Sequence, residues 1–190
     1  PRWVSINGRM VDDVTTDPYT RGGAATLAGV FDRQHEMADE ILIPDDETGE
    51  PINISHMHPR SIDDLWRRVR GLTRISEHTV GLMGRTPDYM NMKFASFAAR
   101  PDSWIGPDGG NEHGAHNLVQ FQKRLRRDDV SLTHTIIQPN IDKRTDGAIL
   151  GNKVTLHKIG ETSDSIVVRG ARILGTLAPF ADELAVYPAL

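Results

Sequence analysis

No cysteine occurs anywhere in the 190 residues. That excludes disulfides, thiolate catalysis and any cysteine-ligated zinc or iron–sulfur site within this stretch of chain. A cysteine-free chain fits the reducing cytoplasm, which is the expected localisation. No apolar run approaches the roughly 20 residues that a membrane-spanning helix needs, and no signal-peptide pattern opens the sequence. Neither charge sign dominates: a net charge of −4 supplies no basic footprint for nucleic acid. Neither a membrane nor a nucleic-acid partner is expected. Walker-type and dinucleotide-type glycine loops are missing, as are a nucleophile elbow and any internal repeat. The length suits one ordinary domain, or a small domain with part of another. The sequence starts at Pro1 within a strand-like pattern and stops in the apolar run 185–190. The expectation is a piece of a longer protein.

The most informative stretch that is present spans residues 81–100, GLMGRTPDYMNMKFASFAAR. Thr86 reads as a helix N-cap, Pro87 as the first helical residue and Asp88 as an acid in the first turn. Met90, Phe94, Phe97 and Ala98 then recur at helical spacing and can bury one face. Arg85 falls just before the helix and Tyr89 in its first turn, so a guanidinium and a phenol share one wall. Such a pair can recognise an aromatic or anionic molecule. The competing reading is an ordinary loop in which Arg85 pairs with Asp88.

Around this stretch the chain alternates short β-prone runs with helical patterns. Asn7-Gly8 between two such runs predicts a hairpin. Asp17 and Pro18 predict the start of a helix whose body, residues 19–37, is rich in small residues suited to close packing, with a loop as the rival reading because two neighbouring glycines weaken a helix. Residues 40–43 and 51–54 predict a second hairpin around an acidic loop. Ser61 caps a helix with Leu65, Val69, Leu72 and Ile75 as its apolar stripe. Arg67, Arg68, Arg70 and Arg74 cover the rest of that helix as a solvated or acid-paired face. A loop at 100–110 precedes a helix over residues 111–127. From Val130 the character becomes β: a strand over 130–137, another over 154–160, and two strands pivoting at Gly170.

The histidines give no strong metal signal. His56 and His58 could share a strand face, but no third ligand is near, so surface histidines are expected. His113 and His116 are three apart, which does not fit the zinc-protease spacing, and read as helix surface. No metal site is expected. His134 differs, because it interrupts an apolar strand just before a break, where a buried imidazole needs a hydrogen-bond partner.

Three blocks in one order, MGRTPDY (83–89), LTHTIIQPNIDK (132–143) and IVVRGARILGT (166–176), resemble the N-terminal portion of the 4-hydroxyphenylacetate 3-monooxygenase family, large oxygenase component. The likeness extends over nearly the whole chain. It implies an α+β fold of the acyl-CoA-dehydrogenase-like kind. In it, a helical N-terminal domain with short hairpins (1–129) is followed by the beginning of a β-barrel middle domain (130–190), without the C-terminal helical bundle. It implies a flavin-dependent aromatic hydroxylase that works as a homotetramer on a phenol such as 4-hydroxyphenylacetate. Its reagents would be O2 and reduced FAD from a separate flavin reductase. The resemblance assigns catalysis to Arg85, Tyr89 and His134. It assigns flavin contacts to His134, Thr135, Ile136, Ile137, Asn140, Ile141, Asp142, Lys143 and Thr176. The acidic loop at 44–49 and the stretch 106–113 depart from some members. A relative of the same fold, 4-hydroxybutyryl-CoA dehydratase, needs cysteine-held iron–sulfur, which zero cysteines oppose. A non-catalytic flavin-binding module is the remaining alternative.

Overall fold

The computed structural model describes residues 3–140 and 154–187. Strands β1 (Val4–Ile6) and β2 (Arg9–Val11) pair antiparallel across Asn7 and Gly8, whose φ values of 51° and 79° are those of a tight hairpin turn. Helix α1 (Arg21–Glu36) begins at Arg21 rather than Pro18. The reason lies in Asp17, whose carboxylate accepts the Tyr19 amide while its carbonyl accepts from Thr20 and Arg21. Arg9 of β2 also binds that carboxylate at 2.7 Å, so residues 17–20 form an anchored turn before the helix. The small residues of α1 do serve close packing: the Phe180 ring sits over Gly23 and the His78 ring over Gly29, where a methyl group would crowd them.

A short helix α2 (Ala38–Ile41) leads into the hairpin of β3 (Leu42–Pro44) and β4 (Pro51–Asn53). Its acidic loop is fastened from within, since the buried Asp45 carboxylate accepts the Glu47 and Thr48 amides. A 3-10 turn at Ile54–His56 follows, then helix α3 (Ile62–Glu77), capped by the Ser61 hydroxyl on the Asp64 amide. Only the C-terminal half of the α3 stripe is covered. Ile75 is buried and Leu72 half-buried, but Leu65 and Val69 are 45% and 50% exposed, contrary to expectation. The helix touches its neighbours at Gly71, where a methyl would lie 2.7 Å from the Glu40 carbonyl oxygen and from Ile54 Cγ2. The contact is at that end, and Leu65 and Val69 project beyond it. Of the arginine face, Arg74 pairs with Glu40 and Glu77 at 3.0 Å, Arg68 reaches the Met57 carbonyl, and Arg67 and Arg70 are exposed.

Helices α4 (Pro87–Ala98) and α5 (Glu112–Arg127) pack through the Phe94 and Phe121 ring edges at 5.1 Å, and Phe97 of α4 meets Trp104 at 4.8 Å. Trp104 ends a 3-10 turn at Pro101–Trp104, inside the segment expected to be plain loop. Met90, Leu125, Val130 and Leu132 form one core cluster, which joins α4 and α5 to the first strand beyond them.

From Val130 onward every described regular element is a strand. Strand β5 (Leu132–Thr135) is shorter than the expected 130–137, and all four of its residues are buried. Strands β6 (His157–Glu161) and β7 (Ile166–Arg169) form an antiparallel pair with an irregularity between Lys158 and Gly160. The expected strand beyond Gly170 is replaced by two isolated bridges, Ala171 to Thr155 and Ile173 to Ile137. Gly170 has φ +117°, and a side chain there would collide with the Thr155 carbonyl, so glycine is required where the chain leaves the β7 pairing. Strand β8 (Glu183–Val186) returns parallel to β5, with Ala185 beside His134. The result is a mixed helix-and-strand structure. Among the described residues no helix is long and apolar enough to cross a membrane.

Candidate functional site

Thr86 is extended (φ −60°, ψ 156°) and Pro87 opens α4, which leaves Arg85 outside the helix at its N-terminal rim. Thr86 occupies the cap position without making a side-chain cap bond. Asp88 is mostly buried with Oδ1 unpartnered, and burial raises its pKa above the usual carboxylate range. Arg85 therefore forms no ion pair with Asp88. Its guanidinium lies over the Tyr89 ring, 4.8 Å from the centroid. One turn on, the Lys93 ammonium is 5.7 Å from the same ring. The inner side of α4 is fixed by Met90, 1% exposed, and by buried Asn91, which donates to the Ser55 hydroxyl at 3.1 Å. That anchoring sets which way Arg85, Tyr89 and Lys93 face.

The opposite wall comes from β5. The His134 ring lies 5.4 Å from the Tyr89 ring, with planes tilted by 34°. Pairing of β5 with β8 brings in Tyr187, whose amide donates to the Thr135 carbonyl at 3.1 Å. The Tyr187 ring meets His134 edge-on at 6.0 Å and carries the Lys93 ammonium 4.6 Å from its centroid. The Tyr187 hydroxyl is buried, with no partner among the described residues. His134 has no hydrogen-bond partner among the described residues, so it is not the satisfied core histidine that its strand position allowed. Burial, then the charges of Lys93 and Arg85, lower its pKa and favour the neutral imidazole. A neutral imidazole beside a phenol and two cations can take a proton from a hydroxyl and hold the resulting oxyanion.

The residues assigned to flavin contact divide into two groups. Thr135 is buried and its hydroxyl donates to the Ile173 carbonyl at 3.0 Å; Ile136 and Ile137, 37% and 46% exposed, offer an apolar strip at the end of β5. The Thr176 carbonyl accepts from the Thr133 hydroxyl, which places exposed Thr176 beside the same strand. Arg172 donates to the Ile136 and Tyr187 carbonyls and keeps a buried Nε with no partner among the described residues. An apolar strip flanked by a hydroxyl and an unsatisfied guanidinium nitrogen fits a flat heteroaromatic ring carrying acceptors. Asn140 is exposed at the end of this group; Ile141, Asp142 and Lys143 lie outside the described residues.

Lys93 and Tyr187 went unremarked in the sequence. Lys93 was accessible, being one helical turn after Tyr89. Tyr187 has no local signal, because only the β5–β8 pairing brings it in. Two cavities of about 230 and 480 Å³ lie elsewhere, around the Asp45–Glu50 loop, and none of the five clustered side chains lines either.

The first of those cavities corrects one histidine. His56 is 3% exposed on the 3-10 turn rather than on a strand surface, and both its ring nitrogens lack partners. Burial, with help from Arg126 and His58, pushes its pKa down to about 3. His58 is half-buried, whereas His113 and His116 are exposed on α5 as expected. Among the described residues no group of three or more acids or histidines could hold a metal ion.

The chain matches, over residues 1–190, the family described as 4-hydroxyphenylacetate 3-hydroxylase N terminal. It is 31% identical over 186 residues to the 4-hydroxyphenylacetate 3-monooxygenase oxygenase component of Geobacillus sp. (strain PA-9), covering 97% of this chain and 37% of that protein. It is 30% identical over 181 residues to the oxygenase component of a 4-nitrophenol 2-monooxygenase from Rhodococcus sp, covering 92% of this chain and 33% of that one. A crystal structure of the oxygenase component of 4-hydroxyphenylacetate 3-monooxygenase, complexed with FAD and 4-hydroxyphenylacetate, superposes with a TM-score of 0.81 at 29% identity, over 96% of this chain and 37% of that chain. An archaeal 4-hydroxybutyryl-CoA dehydratase shares the fold alone, with a TM-score of 0.68 at 14% identity over 88% of this chain and 33% of that one. The chain spans a little over a third of the length of the curated relatives it matches. It belongs to the 4-hydroxyphenylacetate 3-hydroxylase N-terminal family.

Proposed function

We propose that the full-length protein is the oxygenase component of a two-component flavin-dependent monooxygenase that hydroxylates a phenol, such as 4-hydroxyphenylacetate, ortho to its hydroxyl. The observation that carries this reading is the convergence of Arg85 and Tyr89, from the rim of α4, on His134 of β5. In it Arg85 binds the phenol oxygen and steadies negative charge on it, and Tyr89 donates a hydrogen bond to it. His134, kept neutral, takes up the phenol proton, which raises electron density at the ortho carbon. Reduced FAD, delivered by a separate reductase, supplies the oxygen activation when bound. His134, Thr135, Ile136, Ile137, Asn140, Ile141, Asp142, Lys143 and Thr176 would hold the flavin, and its ring would exclude water from the phenol.

Residues 1–129 in this reading are the helical domain and 130–190 the beginning of a β-barrel in an acyl-CoA-dehydrogenase-like enzyme. A helical bundle elsewhere in the protein would complete it, assembled as a tetramer in the cytoplasm. The dehydratase alternative is disfavoured by the absence of cysteine from this chain. The test is to supply the full-length protein with reduced FAD, O2 and simple phenols. A catechol product supports the reading. Flavin binding that yields only hydrogen peroxide with every phenol would leave a non-catalytic flavin-binding module.

A further inference from the structure

Lys93 has no role in the function proposed above, yet its ammonium is held between the two tyrosine rings that border His134. It lies 4.6 Å from the Tyr187 centroid and 5.7 Å from that of Tyr89, and no carboxylate among the described residues pairs with it. Arg85 approaches Tyr89 as well and likewise has no carboxylate partner among them. The charged and titratable groups around His134 are thus Arg85 and Lys93 from α4, Tyr89 between them, and Tyr187 after β8. Asp88, which adjoins Tyr89 in sequence, has its pKa raised by burial and forms no ion pair with either cation.

We infer that Lys93 is a second fixed cation of the phenol site, so that the protein binds its phenol as the phenolate and selects phenols acidified by electron-withdrawing ring substituents. The inference rests on the proposed phenol site. Two cations at one hydroxyl favour its ionised form. They act on His134 in the opposite sense, because a proton gained there is repelled by both. A weakly acidic phenol must hand its proton to that reluctant imidazole. An acidic phenol enters already ionised and makes no such demand. The Tyr187 hydroxyl, on a ring that meets both His134 and Lys93, has no hydrogen-bond partner among the described residues and is a further donor for an oxyanion. Lys93 is therefore a positioning and specificity residue that steadies the phenolate charge, and proton uptake by His134 is required only of phenols that arrive un-ionised.

The test reads ionisation of the bound ligand directly. The full-length protein is loaded with reduced FAD without oxygen, so nothing turns over, and titrated with 4-nitrophenol across pH while the coloured phenolate is followed by absorbance. In the wild type the bound phenol ionises at lower pH than free 4-nitrophenol. Lys93→Met, which keeps the apolar stem, should raise the pH of ionisation by about one unit and weaken binding about tenfold, a discounted value for one half-screened charge at this range. Lys93→Arg should restore both, and thermal melting of the three proteins should agree. Unchanged ionisation in Lys93→Met would overturn the inference and leave the phenol site standing. A loss confined to phenols that also carry a carboxylate would overturn it too, since Lys93 would then be reading the substituent. Failure of the wild type to bind any phenol would overturn the proposed function itself.

Discussion

The rings of Tyr89 and His134 stand 5.4 Å apart and tilted by 34°, although one residue opens a helix and the other lies in a strand. The core cluster of Met90, Leu125, Val130 and Leu132 packs against Tyr89 and includes Leu132 of the strand that carries His134, so the same apolar contacts join α4, α5 and β5. Substitutions at the rim can therefore separate chemistry from folding.

Arg85→Ala and His134→Ala in the full-length protein should each lower phenol hydroxylation by about a hundredfold or more. Melting temperature and flavin binding should change little for Arg85→Ala, because Arg85 is exposed and has no carboxylate partner among the described residues. His134→Asn serves as the second variant where truncation to alanine disturbs the strand. Product formation is read against folded protein measured by circular dichroism. Equal loss of both would mean that the residues are structural.

His56 and His134 both have pKa values held below that of a free imidazole, chiefly by burial, His56 to about 3. The unfolded chain takes up protons at about pH 6.5, while the folded imidazoles stay neutral. Their contribution is complete above that pH and is lost as pH falls from about 6.5 towards 3. Urea midpoints measured between pH 7.5 and 4.5 should fall on acidification. The fall should be shallower in His56→Leu, which removes the titrating group. Superimposable curves would show that His56 is not buried neutral.

Gly71→Ala should destabilise the protein by about 1–3 kcal/mol, since the added methyl meets a backbone carbonyl that cannot withdraw. The Glu40 oxygen and Ile54 Cγ2 both lie 2.7 Å from the new carbon. Chemical denaturation at fixed pH checks it, and an unchanged midpoint would mean that α3 is free to slide away from α2.

Arg126→Met should cost about 2–3 kcal/mol, because it strands the Asp45 carboxylate, whose side chain is 3% exposed and paired at 2.6 Å. Asp45→Asn in the same background should recover part of the loss, since the charge is then gone. Arg74→Met, at the more exposed Glu40 pair, should leave the urea midpoint close to that of the wild type. Equal losses at the two sites would contradict the distinction drawn from burial.

Local chemistry made several of these elements legible before any coordinates. Asn7-Gly8, the Ser61 cap and Thr86-Pro87 each specify a turn or a helix start through the backbone preferences of one or two residues, and each lies where expected. Errors arose where a tertiary contact overrode the local rule. Arg9 and the local amides hold Asp17 in a turn, so α1 starts late. Gly170 takes φ +117°, which is not strand geometry, so β7 ends there. The apolar spacing of Leu65 and Val69 told of a helix but not of which end would be covered. At the candidate site, Arg85 and Tyr89 were readable as neighbours on one rim. Their meeting with His134, and the arrival of Tyr187 through a parallel strand pairing, are long-range contacts with no local signature.

A crystal structure of the full-length protein with a bound phenol tests the central claim most directly. The phenolic oxygen is expected within hydrogen-bond reach, about 2.6–3.2 Å, of Arg85, Tyr89 and His134 together. A phenol seated elsewhere, with these three side chains facing only protein, would contradict the account.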